Sequence, residues 1–291
     1  MIWSRTQPEQ KLSAPETEPE ETRGLTRRQA IICGATAVMT CASVDSYAAT
    51  AQIDVTHHDV LIKNLATPLT VAQITDVHRS QFVPERFVER VVDQVNALKP
   101  DLILLTGDFV TRTTGYVESC LGQLCRLRSR YGKFAVLGNH DYWCEGGNGG
   151  PYITDALEEA GIHVLTNRNV VLPNGLRLVG IDDVRAGVPN FPLSFEGVRS
   201  DEPILCMTHN PGAFTTLKHH NVTVVAGHTH GGQIYLPLVS GVVVRSPFLK
   251  GWYSYPEFPG KMYVCRGLGT IHVPMRFASA PEIALLHCYP I

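Results

Sequence analysis

The sequence predicts an α/β protein folded as one domain from about Gln52 to Ile291, and three patterns in the chain carry that prediction. Short aliphatic runs alternate with amphipathic helical patterns, the order of βαβ units. The later runs include a hairpin and follow one another more closely, which adds antiparallel strands to parallel ones. Five of the aliphatic runs end in Asp, Asn or His, at the carboxyl ends of strands, where open α/β sheets bind ligands.

From about residue 58 the elements come in order. "LTVAQITD", Leu69 to Asp76, reads as a strand. In "FVERVVDQVNALK", Phe87, Val88, Val91, Val92, Val95 and Leu98 share one face of a helix whose other face is charged. "DLILLTGD" is a buried strand, "VESCLGQLCRLRSRY" a helix, "KFAVLGNHD" a strand and "YITDALEEAGI" a glycine-terminated helix. "NVVLPNGLRLVGIDD" turns at Asn174-Gly175 as a hairpin. "EPILCMTHN", "VTVVAGHTH", "KMYVCRGLG" and "EIALLHCY" are four further strands. The widest irregular region is "LPLVSGVVVRSPFLKGWYSYPEFPG".

An apolar fraction of 44% with 18% charge belongs to a globular protein with a full core. The formal net charge of −2 gives no basic excess for a nucleic-acid partner. The basic cluster Arg126 to Lys133 reads as a solvated helix end that suits the helix dipole. Six cysteines follow Ala51, at 120, 125, 144, 206, 265 and 288; they lack CxxC spacing and read as buried free thiols.

Residues 1–51 differ from the rest. "SAPETEPEETRG" is acidic and lacks aliphatic periodicity, so it is expected to be disordered. Arg27 and Arg28 then precede an uncharged run from Ala30 to Val44, too short to span a bilayer, which takes about 20 apolar residues. The run ends near Ala49-Thr50-Ala51, a small-x-small cleavage pattern. The stretch resembles a twin-arginine export signal, with "TRRQAI" carrying Ala where that motif has Phe. It implies the twin-arginine machinery as a partner and residence in the periplasm or envelope; without the signal the protein would be cytoplasmic.

The strand ends "ITDVHR", "LTGDFV", "VLGNHDYW", "CMTHNP" and "VAGHTHGG" contribute Asp76, His78, Asp108, Asn139, His140, Asp141, His209, His228 and His230. Carboxylates, an amide oxygen and imidazoles without a thiolate form a donor set for divalent metals. In extended backbone, residues i and i+2 point the same way, so Asp76/His78 and His228/His230 are expected to act as pairs. Glycines 107, 138, 227 and 231 allow close approach where a Cβ would obstruct.

Asp-x-His, Gly-Asp, Gly-Asn-His-Asp, a solitary His and Gly-His-x-His, in this order from Leu69 to Tyr289, resemble the calcineurin-like metallophosphoesterases. "GHTHGGQ", "GIDD", "CRGLGT" and "APEIALL" are similar to its YkuE/YaeI-type phosphodiesterase branch, which lies near UDP-diacylglucosamine hydrolases. The resemblance implies a four-layer α/β/β/α sandwich with two mixed sheets flanked by helices. It implies two divalent metal ions (Mn, Fe, Zn, Co or Ni): Asp76, His78 and His230 for the first, Asn139, His209 and His228 for the second, with Asp108 bridging. His140 would be the catalytic imidazole, oriented by Asp141 behind it. A hydroxide shared by the two cations would attack phosphorus, with His140 protonating the leaving oxygen. Asp182 and Asp183 either support the ligands or simply end a strand.

A phosphodiesterase is the leading reading. A UDP-diacylglucosamine pyrophosphate hydrolase of lipid A synthesis is its rival, and a non-catalytic protein-binding scaffold is the alternative from another class. Apolar residues after the GHTH segment, among them Ile234, Leu236, Leu238, Val239, Val242, Val243, Phe248, Trp252 and Tyr255, either pack the core or form a platform for a lipid-linked phosphoester, with peripheral envelope association.

Overall fold

The computed structural model describes residues 52–236, 239–271 and 274–291. The expected tail and export signal lie outside these residues, as does Leu238. In chain order the elements are β1 Asp54–Ile62, β2 Leu69–Ile74, α1 Glu85–Leu98, β3 Leu102–Thr106, α2 Val117–Leu124, β4 Lys133–Val136, α3 Asn139–Trp143, α4 Gly149–Glu159 and β5 His163–Val164. There follow β6 Arg168–Val171, β7 Arg177–Gly180, α5 Phe191–Ser194, β8 Ile204–Met207, β9 Thr223–Ala226, α6 Ser240–Val244, β10 Gly251–Ser254, β11 Lys261–Val264 and β12 Glu282–Pro290.

The strands form two six-stranded mixed sheets, ordered β1-β12-β2-β3-β4-β5 and β10-β11-β9-β8-β7-β6. In the first, β2 to β5 are parallel and β12 runs antiparallel to β2. In the second, β7, β8, β9 and β11 are parallel, with antiparallel β6 and β10 at the edges.

Alternation along each strand sorts side chains into layers. On β3, Ile103 and Leu105 face α1, α2 and α4, where Val88, Val92, Leu121 and Ile153 meet them. Leu102 and Leu104 face the other way, onto Leu178, Leu205, Met207 and Val225 of the second sheet. This inter-sheet core leaves both faces of the central strands apolar, which is why β3 reads as an unbroken hydrophobic run. The outer face of the second sheet, with Cys206, Val224 and Met262, packs on Phe214, Leu217 and Phe248. The four-layer expectation therefore holds, with a thin fourth layer. A 3-10 segment at Pro211–Leu217 and the short α5 supply it in place of long helices. No helix among the described residues is long and apolar enough to cross a membrane.

Two expectations are corrected. The helix expected to reach Tyr131 stops at Leu124. Asn96 of α1 accepts from the Arg128 N–H at 2.8 Å and donates to the Arg126 carbonyl at 3.0 Å, a tertiary alternative to continued helical bonding. Arg126 also pairs with Asp93 at 2.8 Å, which spends part of the basic cluster on α1. The region after GHTH, expected to be irregular, holds α6 and β10. Phe248, Tyr253 and Tyr255 pack against the second sheet, whereas Ile234, Leu236 and Val239 stay exposed.

Candidate metal centre

The segments that follow β2, β3, β4, β8 and β9 bring the predicted residues together. Asp76, His78, Asp108, Asn139, Asp141, His209 and His230 are buried, and His140 and His228 are half-buried. They do not converge by strand alternation, as expected from the i, i+2 spacing. Asp76, His78, Asp108, His228 and His230 all have left-handed backbone, with φ between 48° and 74°. Such φ values are uncommon outside glycine, are enriched among Asp and His, and cluster at functional sites. The loops hold one another there. Asp76 N–H donates to Gly107 O at 2.9 Å, His78 N–H to Asp108 O at 3.0 Å, Gly227 N–H to His209 O at 2.9 Å and Gly269 N–H to Asp76 O at 2.7 Å.

Three overlapping groups have ligand atoms within 4.8 Å of one another: Asp76, His78 and His230; His78, Asp108 and His140; Asp108, His209 and His228. Asp108 links two of them. Its Oδ2 lies 3.4 Å from His78 Nε2 and 3.2 Å from His209 Nε2. On one side His78 Nε2 faces His230 Nε2 at 3.0 Å, and Asp76 Oδ1 is 3.3 Å from His230 Nε2. On the other, His209 Nε2 faces His228 Nδ1 at 3.1 Å.

These residues fit divalent cations. Asn139 Oδ1 is buried without a hydrogen-bond partner, which leaves an amide oxygen available as a ligand. His209 Nδ1 donates to the Thr106 carbonyl at 2.7 Å, so neutral His209 presents a bare Nε2. Burial holds His78 and His228 near a pKa of about 3 and His230 well below its ordinary value, so these imidazoles are neutral, the form that binds metal. Burial by itself would lower His209 too, but the Asp108 carboxylate holds it well above. Burial and then the nearby Asp108 charge work against ionised Asp76, whose pKa sits at about 6 with His209 pulling the other way. An alanine methyl at Gly138 would overlap Asp108 Oδ1, and one at Gly227 would overlap Thr75 Oγ1 and Asp76 Oδ2. Close approach thus explains both glycines. Gly231, with φ 60°, instead lies against Ser279.

Asp141, expected to orient His140, acts on the backbone of the site. Its oxygens accept the main-chain N–H groups of Asp108 and Phe109 at 2.8 Å and of Gly138 at 2.9 Å. It supports the site by tying two loop backbones together. His140 stands over the centre, its ring 4.9 Å from His78 and 5.4 Å from Trp143, while its main-chain N–H donates to Asp108 Oδ1 at 2.8 Å.

Arg276 escaped sequence reading. Fully buried, it donates to His230 Nδ1 at 3.1 Å and to the carbonyls of Gly269, Arg266 and Ser279. It fastens the GHTH loop to the chain before β12. A single arginine in the mostly apolar "VPMRFASA" was the only signal. Asp182 and Asp183 are structural supports: Asp182 accepts from Tyr142 OH at 2.6 Å and Val188 N–H at 2.8 Å, and Asp183 accepts from the N–H groups of Arg185 and Ala186.

A family model described as calcineurin-like phosphoesterase matches residues 69–232, which contain every residue of the centre. An uncharacterized metallophosphoesterase of Helicobacter pylori is 31% identical over 238 residues, 79% of this chain and 62% of that protein, so the chain corresponds to less than two thirds of that relative's length. The uncharacterized metallophosphoesterase YkuE of Bacillus subtilis is 29% identical over 80% of this chain and 84% of its own. UDP-2,3-diacylglucosamine pyrophosphatase LpxG of Chlamydia muridarum is 28% identical over 76% and 83%. With this match spanning more than half of the sequence, the chain belongs to the calcineurin-like phosphoesterase family.

Proposed function

We propose that the protein is a metal-dependent phosphoric ester hydrolase acting on phosphodiesters. The observation that carries the reading is Asp108 Oδ2, set 3.4 Å and 3.2 Å from imidazole nitrogens of two separate clusters, as a carboxylate shared between two ions would be. Asp76, His78 and His230 would hold one divalent cation and Asn139, His209 and His228 the other. The bound pair supplies an acidified water and positive charge for the phosphoryl oxygens. His140, half-exposed above the centre, exchanges protons with solvent and donates one to the leaving oxygen. Asp141 and Arg276 keep the loops in place while this happens.

The purified protein with added manganese should hydrolyse a chromogenic phosphodiester, with elemental analysis giving two metals per chain. Two bound metals and no turnover would sink the hydrolase reading in favour of a binding scaffold. Similarity to LpxG favours a second substrate class, a pyrophosphate-linked lipid precursor. Exposed Ile234, Leu236, Val239 and Phe277 near the GHTH loop would take its acyl part. A preference for an acylated sugar nucleotide over a nucleotide diester is the test.

The twin-arginine stretch "TRRQAI" supports export to the periplasm or envelope. Fractionation of cells carrying the chain with Arg27→Lys and Arg28→Lys tests it.

A further inference from the structure

We propose that Arg185, seated on the face of Trp143, binds a second phosphoryl group of the substrate, so that the site favours esters with two linked phosphoryl groups. The inference rests on the phosphoesterase reading and narrows its substrate class.

Arg185 lies at the mouth of the centre. Its guanidinium carbon is 5.0 Å from the centroid of the Trp143 ring, and Trp143 in turn stacks edgewise on His140 at 5.4 Å. The cation is exposed, and no carboxylate among the described residues pairs with it. A guanidinium resting on an indole keeps its in-plane N–H donors unspent, and that fork matches two oxygens of one phosphoryl group.

The platform is built rather than loose. Asp183 Oδ1 accepts the Arg185 N–H at 2.9 Å and the Ala186 N–H at 2.7 Å. Asp182 holds Val188 N–H on the same loop and Tyr142 OH beside Trp143. One pair of neighbouring buried carboxylates therefore fixes the arginine's loop and the end of α3 that carries its indole. A phosphoryl group engaged below His140 stands at the start of the row that runs through Trp143 to Arg185. A second phosphoryl group attached to the first extends toward it.

The probes are AMP and adenosine α,β-methylene diphosphate, whose P–C–P bridge resists cleavage, titrated into manganese-loaded protein with tryptophan fluorescence as readout. Wild type should bind the diphosphate analogue about tenfold or more tightly than AMP. Arg185→Ala should bring the two affinities together, and Arg185→Lys should restore part of the difference. Equal affinities in wild type, no binding of either probe, or an equal loss for both in Arg185→Ala overturns the proposal. Discrimination that depends on Arg185 without hydrolysis of the chromogenic diester would sink the hydrolase reading alone. Turnover of the diester with no discrimination would sink only the subsite.

Discussion

Replacing Gly138 by alanine adds one methyl group to a backbone that any residue could adopt, with φ −107° and ψ 174°. Whatever follows is therefore steric. The new Cβ would overlap Asp108 Oδ1 and stand 2.6 Å from Asp108 N and 2.8 Å from its Cγ. Backbone tied to Asp141 cannot yield cheaply, so the Asp108 carboxylate must move. Overpacking of this kind costs about 1–3 kcal/mol. For a domain of this size each kcal/mol is about 2–4 °C, so the Tm of metal-free protein should fall by about 2–12 °C. Gly122 provides the opposite case: it is exposed on α2, and nothing lies within 4 Å of an added Cβ. Gly122→Ala should stabilise the protein by about 0.4–1 kcal/mol through the unfolded chain. Calorimetry reads both variants, and elemental analysis of Gly138→Ala should give less than the wild-type metal content. A Gly138→Ala protein with wild-type Tm and metal content would refute the claim that Asp108 is held in a space that excludes a methyl group.

His140→Ala should keep its metals, because the main-chain N–H to Asp108 survives, and lose about 10²–10⁴-fold in turnover; unchanged activity would remove His140 from the chemistry. Asp141→Ala strands three buried amides at about 1–3 kcal/mol each, which a lowered urea midpoint would register. Metal affinity should weaken as pH falls, first above the ordinary imidazole range, where His209 takes up its proton, and again through about 6, where Asp76 does. His78 and His228 stay neutral down to about 3, so the competing protons are those on Asp76, with its pKa at about 6, and on His209, held above the ordinary imidazole value. Metal titrations from pH 8 to pH 5 with constant affinity would contradict that account.

Much of this arrangement was legible in the chain. The apolar face of α1, the buried run of β3 and the hairpin at Asn174-Gly175 are local patterns, and local patterns follow from backbone periodicity and turn chemistry. The strand-end residues were also legible, because Asp, Asn and His after an aliphatic run are poor core residues and stand out. The mode of convergence was not. Alternation in extended backbone was expected for Asp76/His78 and His228/His230, whereas left-handed turns held by hydrogen bonds between distant loops set those directions. The same limit hid the work of Asp141, Arg276 and Asp182, whose partners lie up to 46 residues away along the chain. Residue type and spacing declare which groups could bind a cation. Where each lone pair points depends on long-range hydrogen bonds, and those exist only after the two sheets have packed.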